Sequence, residues 1–123
     1  MAIQNIKPNQ VQDIIKLGAL FIDVREKNET ECTKYNLPNI TYLPLSEFDK
    51  KFMAILPQDK SVNIILACQA GGRSMMAAGF LDKNGYQNLY NLEGGLSLWM
   101  AEGMQTIGDN APKTDCCSKP GCC

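Results

Sequence analysis

The feature that most constrains the fold is the apolar run at residues 62–67 and the loop that follows it. Apolar side chains fall on both faces of this run, which is typical of a central strand in a parallel sheet covered by helices on both sides. The run leads into Cys-Gln-Ala-Gly-Gly-Arg-Ser at residues 68–74 and then into a helical pattern over residues 75–83. The sequence therefore predicts an α/β domain in which a cysteine loop joins a central strand to a helix.

Short apolar strands alternate with helical patterns along most of the chain. The predicted elements are a helix over 8–17, strands over 20–24 and 40–43, a helix from a cap at Ser46 to Ile55, a strand over 89–92 and a last helix ended by Gly103. Residues 25–36 are charged and without periodicity, and are predicted to form a loop that includes at most a broken turn of helix. The helix after the cysteine loop is predicted to bury Met76, Ala77, Phe80 and Leu81. This alternation indicates a parallel sheet with helices on both faces, so Asp23 and Cys68 are expected at the carboxyl ends of strands.

Composition narrows the class of protein. The chain has 123 residues, of which 45% are hydrophobic, and this suits one compact domain. Its net charge is −1, which does not favour nucleic acid or an anionic membrane as a partner. The amino terminus lacks the apolar region of a secretory signal, and no apolar run is long enough to span a bilayer. We expect a cytoplasmic protein.

The cysteines are placed for chemistry rather than for disulfides. Of six cysteines, Cys32 and Cys68 stand alone and the other four occur within the last eight positions, whereas a disulfide framework distributes cysteines through the fold. The chain has no histidine. This excludes a Cys–His dyad and a histidine general base.

The position of Cys68 favours a reactive thiolate. A glycine-containing turn between a strand and a helix directs backbone N–H groups at one point, where the helix dipole also favours negative charge. These conditions lower the pKa of a thiol and allow it to act as a nucleophile without a base.

Four stretches resemble the single-domain rhodaneses, a family of thiosulfate and persulfide sulfurtransferases. They are Asp23-Val24-Arg25-Glu26, Leu37-Pro38 with Leu43-Pro44-Leu45, the loop 68–74, and Asn91-Leu92-Glu93-Gly94-Gly95 with Trp99. They occur in the order of the family's motifs and together cover roughly residues 3 to 105, so the match is specific although each stretch alone is weak.

The resemblance implies a five-stranded parallel sheet and a persulfide mechanism. Cys68 is the expected nucleophile, taking a sulfane sulfur from thiosulfate or a persulfide and passing it to a thiol, a protein acceptor or cyanide. No cofactor is required. The expected substrate-binding residues are Gln69, Ala70, Gly71, Gly72 and Arg73, and the expected supporting residues are Asp23, Arg25 and Ser74.

The length and composition of the loop refine this expectation. Four residues separate Cys68 from Arg73, whereas tyrosine phosphatases and related arsenate reductases have five. The shorter loop suits a single sulfur atom. Gln69 stands where the family often has arginine or lysine. Two roles remain open for Arg73: contact with substrate, or a salt bridge with a carboxylate such as Asp23 or Glu26.

The end of the chain differs from the rest. Residues 1–107 are predicted to form the rhodanese-like domain and residues 108–123 a flexible tail, which carries Cys116, Cys117, Cys122 and Cys123. Paired thiols suit soft metals such as Cu(I) or Zn²⁺, or trivalent arsenic. The alternatives are a sulfur relay that accepts persulfide from Cys68, and no defined role.

Overall fold

The computed structural model describes residues 3–37 and 39–108. Within them lie seven strands: β1 (Ile3–Ile6), β2 (Leu20–Asp23), β3 (Thr33–Tyr35), β4 (Ile40–Tyr42), β5 (Asn63–Ala67), β6 (Asn88–Leu92) and β7 (Thr106–Gly108). The same residues form five helices: α1 (Pro8–Lys16), α2 (Lys27–Cys32), α3 (Leu45–Ile55), α4 (Gly72–Lys83) and α5 (Gly95–Ala101). None of these helices has both the length and the apolar character needed to cross a membrane.

The main sheet confirms the predicted architecture. Its five strands are parallel and lie in the order β1-β6-β5-β2-β4. β5 is central, as its apolar run indicates, because Ile64 and Leu66 pack on one face and Ile65 and Ala67 on the other. β1 was not predicted. It has only two apolar residues, and it is ordered by pairing with β6 along its whole length.

Helices cover both faces of this sheet, each over its own hydrophobic core. On one face α3 and α4 contribute Phe48, Phe52 and Leu81. On the other, α1 contributes Val11 and α5 contributes Trp99. Since β5 and its neighbours are buried from both sides, the carboxyl edge of the sheet is held rigidly by two packed layers.

The segment over residues 25–36, predicted as a loop with at most a broken turn of helix, has more regular structure than expected. It contains helix α2 and strand β3, and β3 pairs antiparallel with β7 in a second, two-stranded sheet. The helix is six residues long, too short to be stable alone. A capping box between Glu26 and Glu29 begins it. Its order therefore depends on contacts with the rest of the domain.

Two details of the helix predictions were wrong. Met76 is 67% exposed, because the buried face of α4 is formed by Ser74, Ala77, Ala78 and Leu81. Ser46 is not the cap of α3, which begins one residue earlier at Leu45. Instead the Ser46 hydroxyl donates to Glu26 Oε1 at 2.8 Å.

Candidate active site

The carboxyl edge of the sheet brings the predicted site residues together. β2 and β5 are adjacent, with Asp23 in register with Ala67, and the N–H of Val24 donates to the carbonyl of Ala67 at 2.8 Å. Cys68 follows directly. Asp23 and Cys68 therefore lie at neighbouring strand ends, as predicted.

The carbonyls at the start of the cysteine loop are bound by other elements. The Cys68 carbonyl accepts the N–H of Leu96 at 2.9 Å and the hydroxyl of Tyr35 at 2.7 Å, and the Gln69 carbonyl accepts the N–H of Ser97 at 3.0 Å. The first turn of α5 thus donates hydrogen bonds to these carbonyls on one side of the loop. The loop N–H groups that follow are left to face the cysteine sulfur.

Gly95 allows this close approach. Its φ is +54°, and a Cβ built on it would lie 2.4 Å from the carbonyl oxygen of Cys68 and 2.6 Å from the carbonyl carbon of Gln69. Both atoms belong to backbone, which cannot move aside as a flexible side chain does. A side chain at this position would separate α5 from the loop.

The sulfur of Cys68 is surrounded by hydrogen-bond donors. Cys68 is 1% exposed and its thiol is free, and Sγ accepts the N–H of Gly71 at 2.9 Å. Sγ also lies 3.4 Å from Ser74 Oγ. Burial raises the pKa of the thiol, but hydrogen bonds from the Ser74 side chain and from the N–H groups of Ser74, Gly71 and Ala70 outweigh burial, so the pKa of Cys68 is lowered. The site therefore favours a thiolate at Cys68.

Helix α4 adds its amino-terminal end to this environment. Gly71 precedes the helix with φ +101°, in the left-handed region that favours glycine. The helix therefore begins within the segment 68–74, and the positive end of its dipole lies beside the sulfur. Ala70 and Gly72 are exposed, so this part of the loop faces solvent.

Arg73 is held by a carboxylate that the sequence reasoning did not identify. Its Nη1 and Nη2 donate to Oε1 and Oε2 of Glu29 at 2.6 and 2.7 Å. The partner is thus Glu29 rather than Asp23 or Glu26. Burial raises the pKa of Glu29, but the hydrogen bonds from Arg73 and from the N–H of Glu26 outweigh it and the pKa is lowered.

Asp23 and Arg25 pair with each other instead of with the loop. Both are buried, and Arg25 Nη2 donates to Asp23 Oδ2 at 2.9 Å. The same Nη2 donates to the Thr33 carbonyl at 2.8 Å, and the guanidinium lies 5.6 Å from the centre of the Tyr35 ring. The pair therefore joins the end of β2 to β3, where Tyr35 supports the Cys68 carbonyl. This placement suits the supporting role expected for both residues.

Three residues of the site were not among those predicted: Glu29, Tyr35 and Asn91. Glu29 had a sequence signal, since Glu26 and Glu29 have the spacing of a capping box. Asn91 lies in the Asn-Leu-Glu-Gly-Gly motif, and its Oδ1 accepts a short hydrogen bond from the Ser74 hydroxyl. No local signal pointed to Tyr35, which reaches the loop only through the β3–β7 sheet.

The remaining expected site residues are Gln69 and the cysteines of the tail. Gln69 Nε2 donates to Ser97 Oγ at 3.2 Å on the surface. Cys116, Cys117, Cys122 and Cys123 lie outside the described residues. Within residues 3–37 and 39–108, no three His, Cys, Asp or Glu side chains are grouped to hold a metal ion.

The fold is an α/β domain with a parallel sheet, and the cysteine loop lies at the carboxyl edge of that sheet. The family model described as "Rhodanese-like domain" matches residues 7–102. The chain belongs to the rhodanese-like domain family.

Two curated proteins show the range of relatives. The chain is 34% identical over 93 residues to "Rhodanese-like/PpiC domain-containing protein 12, chloroplastic" of Arabidopsis thaliana, covering 74% of this chain and 30% of that protein. It is 36% identical over 81 residues to "tRNA uridine(34) hydroxylase" of Erwinia tasmaniensis, covering 63% of this chain and 23% of that protein. The chain therefore matches less than a third of the length of either relative.

Solved structures agree on the fold. A rhodanese-related protein of Thermoplasma volcanium superimposes with a TM-score of 0.72 at 28% identity, covering 86% of this chain and 99% of that one. A thiosulfate sulfurtransferase of Pseudomonas aeruginosa gives a TM-score of 0.73 at 23% identity, covering 86% of this chain and 20% of that one. The second likeness shows the fold alone.

Proposed function

We propose that the protein is a sulfurtransferase that carries a sulfane sulfur on Cys68. The observation that supports this most directly is the sulfur environment: Gly71 N–H donates to Sγ at 2.9 Å, while the Cys68 carbonyl is bound by α5 and Tyr35. These fixed donors stabilise negative charge at Sγ without reorganising during reaction.

The proposed reaction has two displacement steps. In the first, the Cys68 thiolate attacks the outer sulfur of a donor; the donor's S–S bond breaks, and the donor leaves as a thiolate or, from thiosulfate, as sulfite. Cys68 then carries a persulfide. In the second, an acceptor thiolate or cyanide attacks the outer sulfur and Cys68 leaves as a thiolate. A covalent intermediate of this kind gives ping-pong kinetics.

The charges around the loop favour a persulfide over thiosulfate as donor. Among the described residues, the two guanidinium groups nearest the loop each form an ion pair with a carboxylate. Arg73 pairs with Glu29, and Arg25 pairs with Asp23. Gln69 adds no positive charge. Neither guanidinium is therefore free to compensate the two charges of a dianion such as thiosulfate, whereas a persulfide group carries one negative charge and needs less compensation.

The first experiment follows sulfur onto a single peptide. Trypsin cleaves after Lys60 and Arg73, so the peptide 61–73 contains Cys68 and no other cysteine. After treatment of the full chain with a small-molecule persulfide, this peptide should gain one sulfur atom in the parent and in the control Cys32→Ser, while Cys68→Ser should lose transfer. Absence of added sulfur at Cys68 with both persulfide and thiosulfate would contradict the proposal.

A second experiment tests the donor. Gln69→Lys places a cation beside the loop and should raise kcat/KM for thiosulfate by about tenfold, which corresponds to roughly 1.4 kcal/mol of Coulomb attraction. The uncharged variant Gln69→Met is the matched control and should leave it unchanged. An equal gain with the persulfide donor would show that charge does not determine donor choice.

Two other activities have supporting observations. The likeness to tRNA uridine(34) hydroxylases favours a role in uridine modification, and hydroxylation of uridine in RNA by a Cys68→Ser variant would favour it over sulfur transfer.

The four thiols of Cys116, Cys117, Cys122 and Cys123 favour capture of a soft metal or metalloid. Replacing all four with serine should then abolish bound Cu(I) or trivalent arsenic in the full chain; unchanged stoichiometry would remove this alternative.

A further inference from the structure

The hydroxyl of Ser74 has three possible hydrogen-bond acceptors nearby but only one proton to donate. It lies 3.1 Å from the Gly71 carbonyl and 3.4 Å from Cys68 Sγ, and it makes a short contact with Asn91 Oδ1. A hydroxyl has one proton to donate. Ser74 is fully buried, so no bulk water replaces a bond that the hydroxyl gives up. The three neighbours therefore compete for one proton.

The side chain of Asn91 is fixed in the orientation that competes. Asn91 lies on β6, is 4% exposed, and its Nδ2 donates to Asn5 Oδ1 at 3.0 Å. Asn5 lies on β1, directly in register with Asn91. Because the amide nitrogen is bound to Asn5, the amide oxygen is the atom that faces Ser74.

We propose that Asn91 is a positioning residue that controls how often the Ser74 hydroxyl donates to the Cys68 sulfur. In the thiol form, the Cys68 S–H donates to Ser74 Oγ and the Ser74 proton goes to Asn91 Oδ1. When the thiol loses its proton to solvent, the hydroxyl turns to the thiolate and Asn91 Oδ1 loses its donor. The bond given up at Asn91 opposes formation of the thiolate. This inference rests on the proposed function only in taking Cys68 as a thiolate nucleophile.

The other groups that face Cys68 do not titrate near neutral pH. Arg73, at the start of α4, interacts with the sulfur charge, and its pKa is raised chiefly by the hydrogen bond with Glu29. Tyr35, on β3, has its pKa raised well above 10.0 by burial. The pKa of Glu29 is lowered despite burial, because of its bonds to Arg73 and to the N–H of Glu26. A transition below pH 9 in the reactivity of Cys68, above the range in which Glu29 titrates, therefore reports the thiol itself.

The test measures the alkylation rate of Cys68 against pH in the full chain. Iodoacetamide labelling is quantified on the peptide 61–73, which separates Cys68 from the other cysteines. No sulfur donor is used, so a failure of sulfur transfer would not affect the result. The control is Asn88→Leu, on the same strand, where the parent side chain donates to the Ser61 carbonyl at 2.7 Å, away from the loop.

Opposite shifts are expected from two substitutions at one position. Asn91→Leu frees the hydroxyl and should move the alkylation midpoint to lower pH, raising the rate on the acid side about threefold to tenfold. Asn91→Asp binds the hydroxyl more strongly and adds negative charge, and should move the midpoint to higher pH. The control should match the parent. A shift in the same direction for both Asn91 variants would overturn the proposal.

A double-mutant cycle separates positioning from a general loosening of the site. Ser74→Ala should raise the midpoint, and adding Asn91→Leu to it should have no further effect, since the shared proton is gone. An undiminished effect of Asn91→Leu in that background would show that Asn91 acts by another route. If an Asn91 variant fails to fold, Asn5→Leu is the substitute. Asn5 is exposed, and its loss should free the Asn91 amide and shift the midpoint to lower pH; an unchanged midpoint would overturn the proposal.

Discussion

Replacement of Gly95 by alanine should damage both stability and activity, and the structure allows the size of the effect to be worked out. The left-handed backbone at φ +54° costs a residue with a Cβ roughly 1–2 kcal/mol. Relief of the 2.4 Å contact with the Cys68 carbonyl requires α5 to move, which breaks the bonds from Leu96 N–H and Ser97 N–H to the loop. At about 1 kcal/mol each, these bring the expected loss to about 3–4 kcal/mol.

The assay for Gly95→Ala is urea unfolding followed by fluorescence. The only tryptophan of the chain, Trp99, is buried on α5 itself, so its emission reports the detachment of this helix. Sulfur transfer at neutral pH should fall about tenfold, equivalent to a rise of about one pH unit in the thiol pKa as the loop N–H groups turn away from Sγ.

Gly103→Ala is the matched control. Gly103 also has a positive φ, +78°, but a Cβ there meets nothing within 4 Å. Only the backbone cost applies, so the loss should be about 1–2 kcal/mol with sulfur transfer unchanged. Equal losses of stability in the two variants would refute the argument that the close approach of α5 shapes the loop.

Three further predictions concern the groups around the loop. Glu29→Gln should lower the free energy of unfolding at pH 7 by about 1–2 kcal/mol, allowing for the partial exposure of Arg73. Because the pKa of Glu29 is lowered from its ordinary 4.5, this advantage of the parent is present above that pH and is lost as the pH falls through the lowered value, so urea midpoints of parent and variant should converge in acid. Tyr35→Phe removes one of two donors to the Cys68 carbonyl and should cost about 1 kcal/mol, with a smaller loss of sulfur transfer than Gly95→Ala; an equal loss would assign Tyr35 a larger role. The rate of sulfur loading should rise with pH and reach half its maximum below pH 9, since the pKa of Cys68 is lowered from 9.0; a midpoint at or above pH 9 would contradict a stabilised thiolate.

The sequence was sufficient for the central strand of the sheet and for the position of the cysteine loop. β5 is apolar on both faces, and this pattern has few structural solutions other than a central parallel strand. The cysteine loop follows from local chemistry too, because glycine and the helix start act within a few residues of Cys68. Both predictions depended on interactions between near neighbours in the chain.

The elements that were missed depend on distant partners. β1 is ordered by β6, about 85 residues further along the chain, and the short helix α2 is held partly through the bond between Glu29 and Arg73. Met76 was assigned to the wrong face because it is large and apolar, whereas the buried face of α4 is made chiefly of the small residues Ser74, Ala77 and Ala78. The periodicity of apolar residues does not predict these contacts, because it shows which residues are apolar but not which distant segments they pack against.

The capture of the loop carbonyls by α5 has a consequence for folding. The bonds from Leu96 and Ser97 to the loop close only after a chain segment almost thirty residues beyond Cys68 has been synthesised and docked. Before α5 docks, nothing holds the loop N–H groups toward Sγ. Without those hydrogen bonds, the thiol of Cys68 should have the reactivity of an unperturbed cysteine. The reactivity of Cys68 in partly folded chains should therefore be lower than in the native state, so that it reports a completed fold.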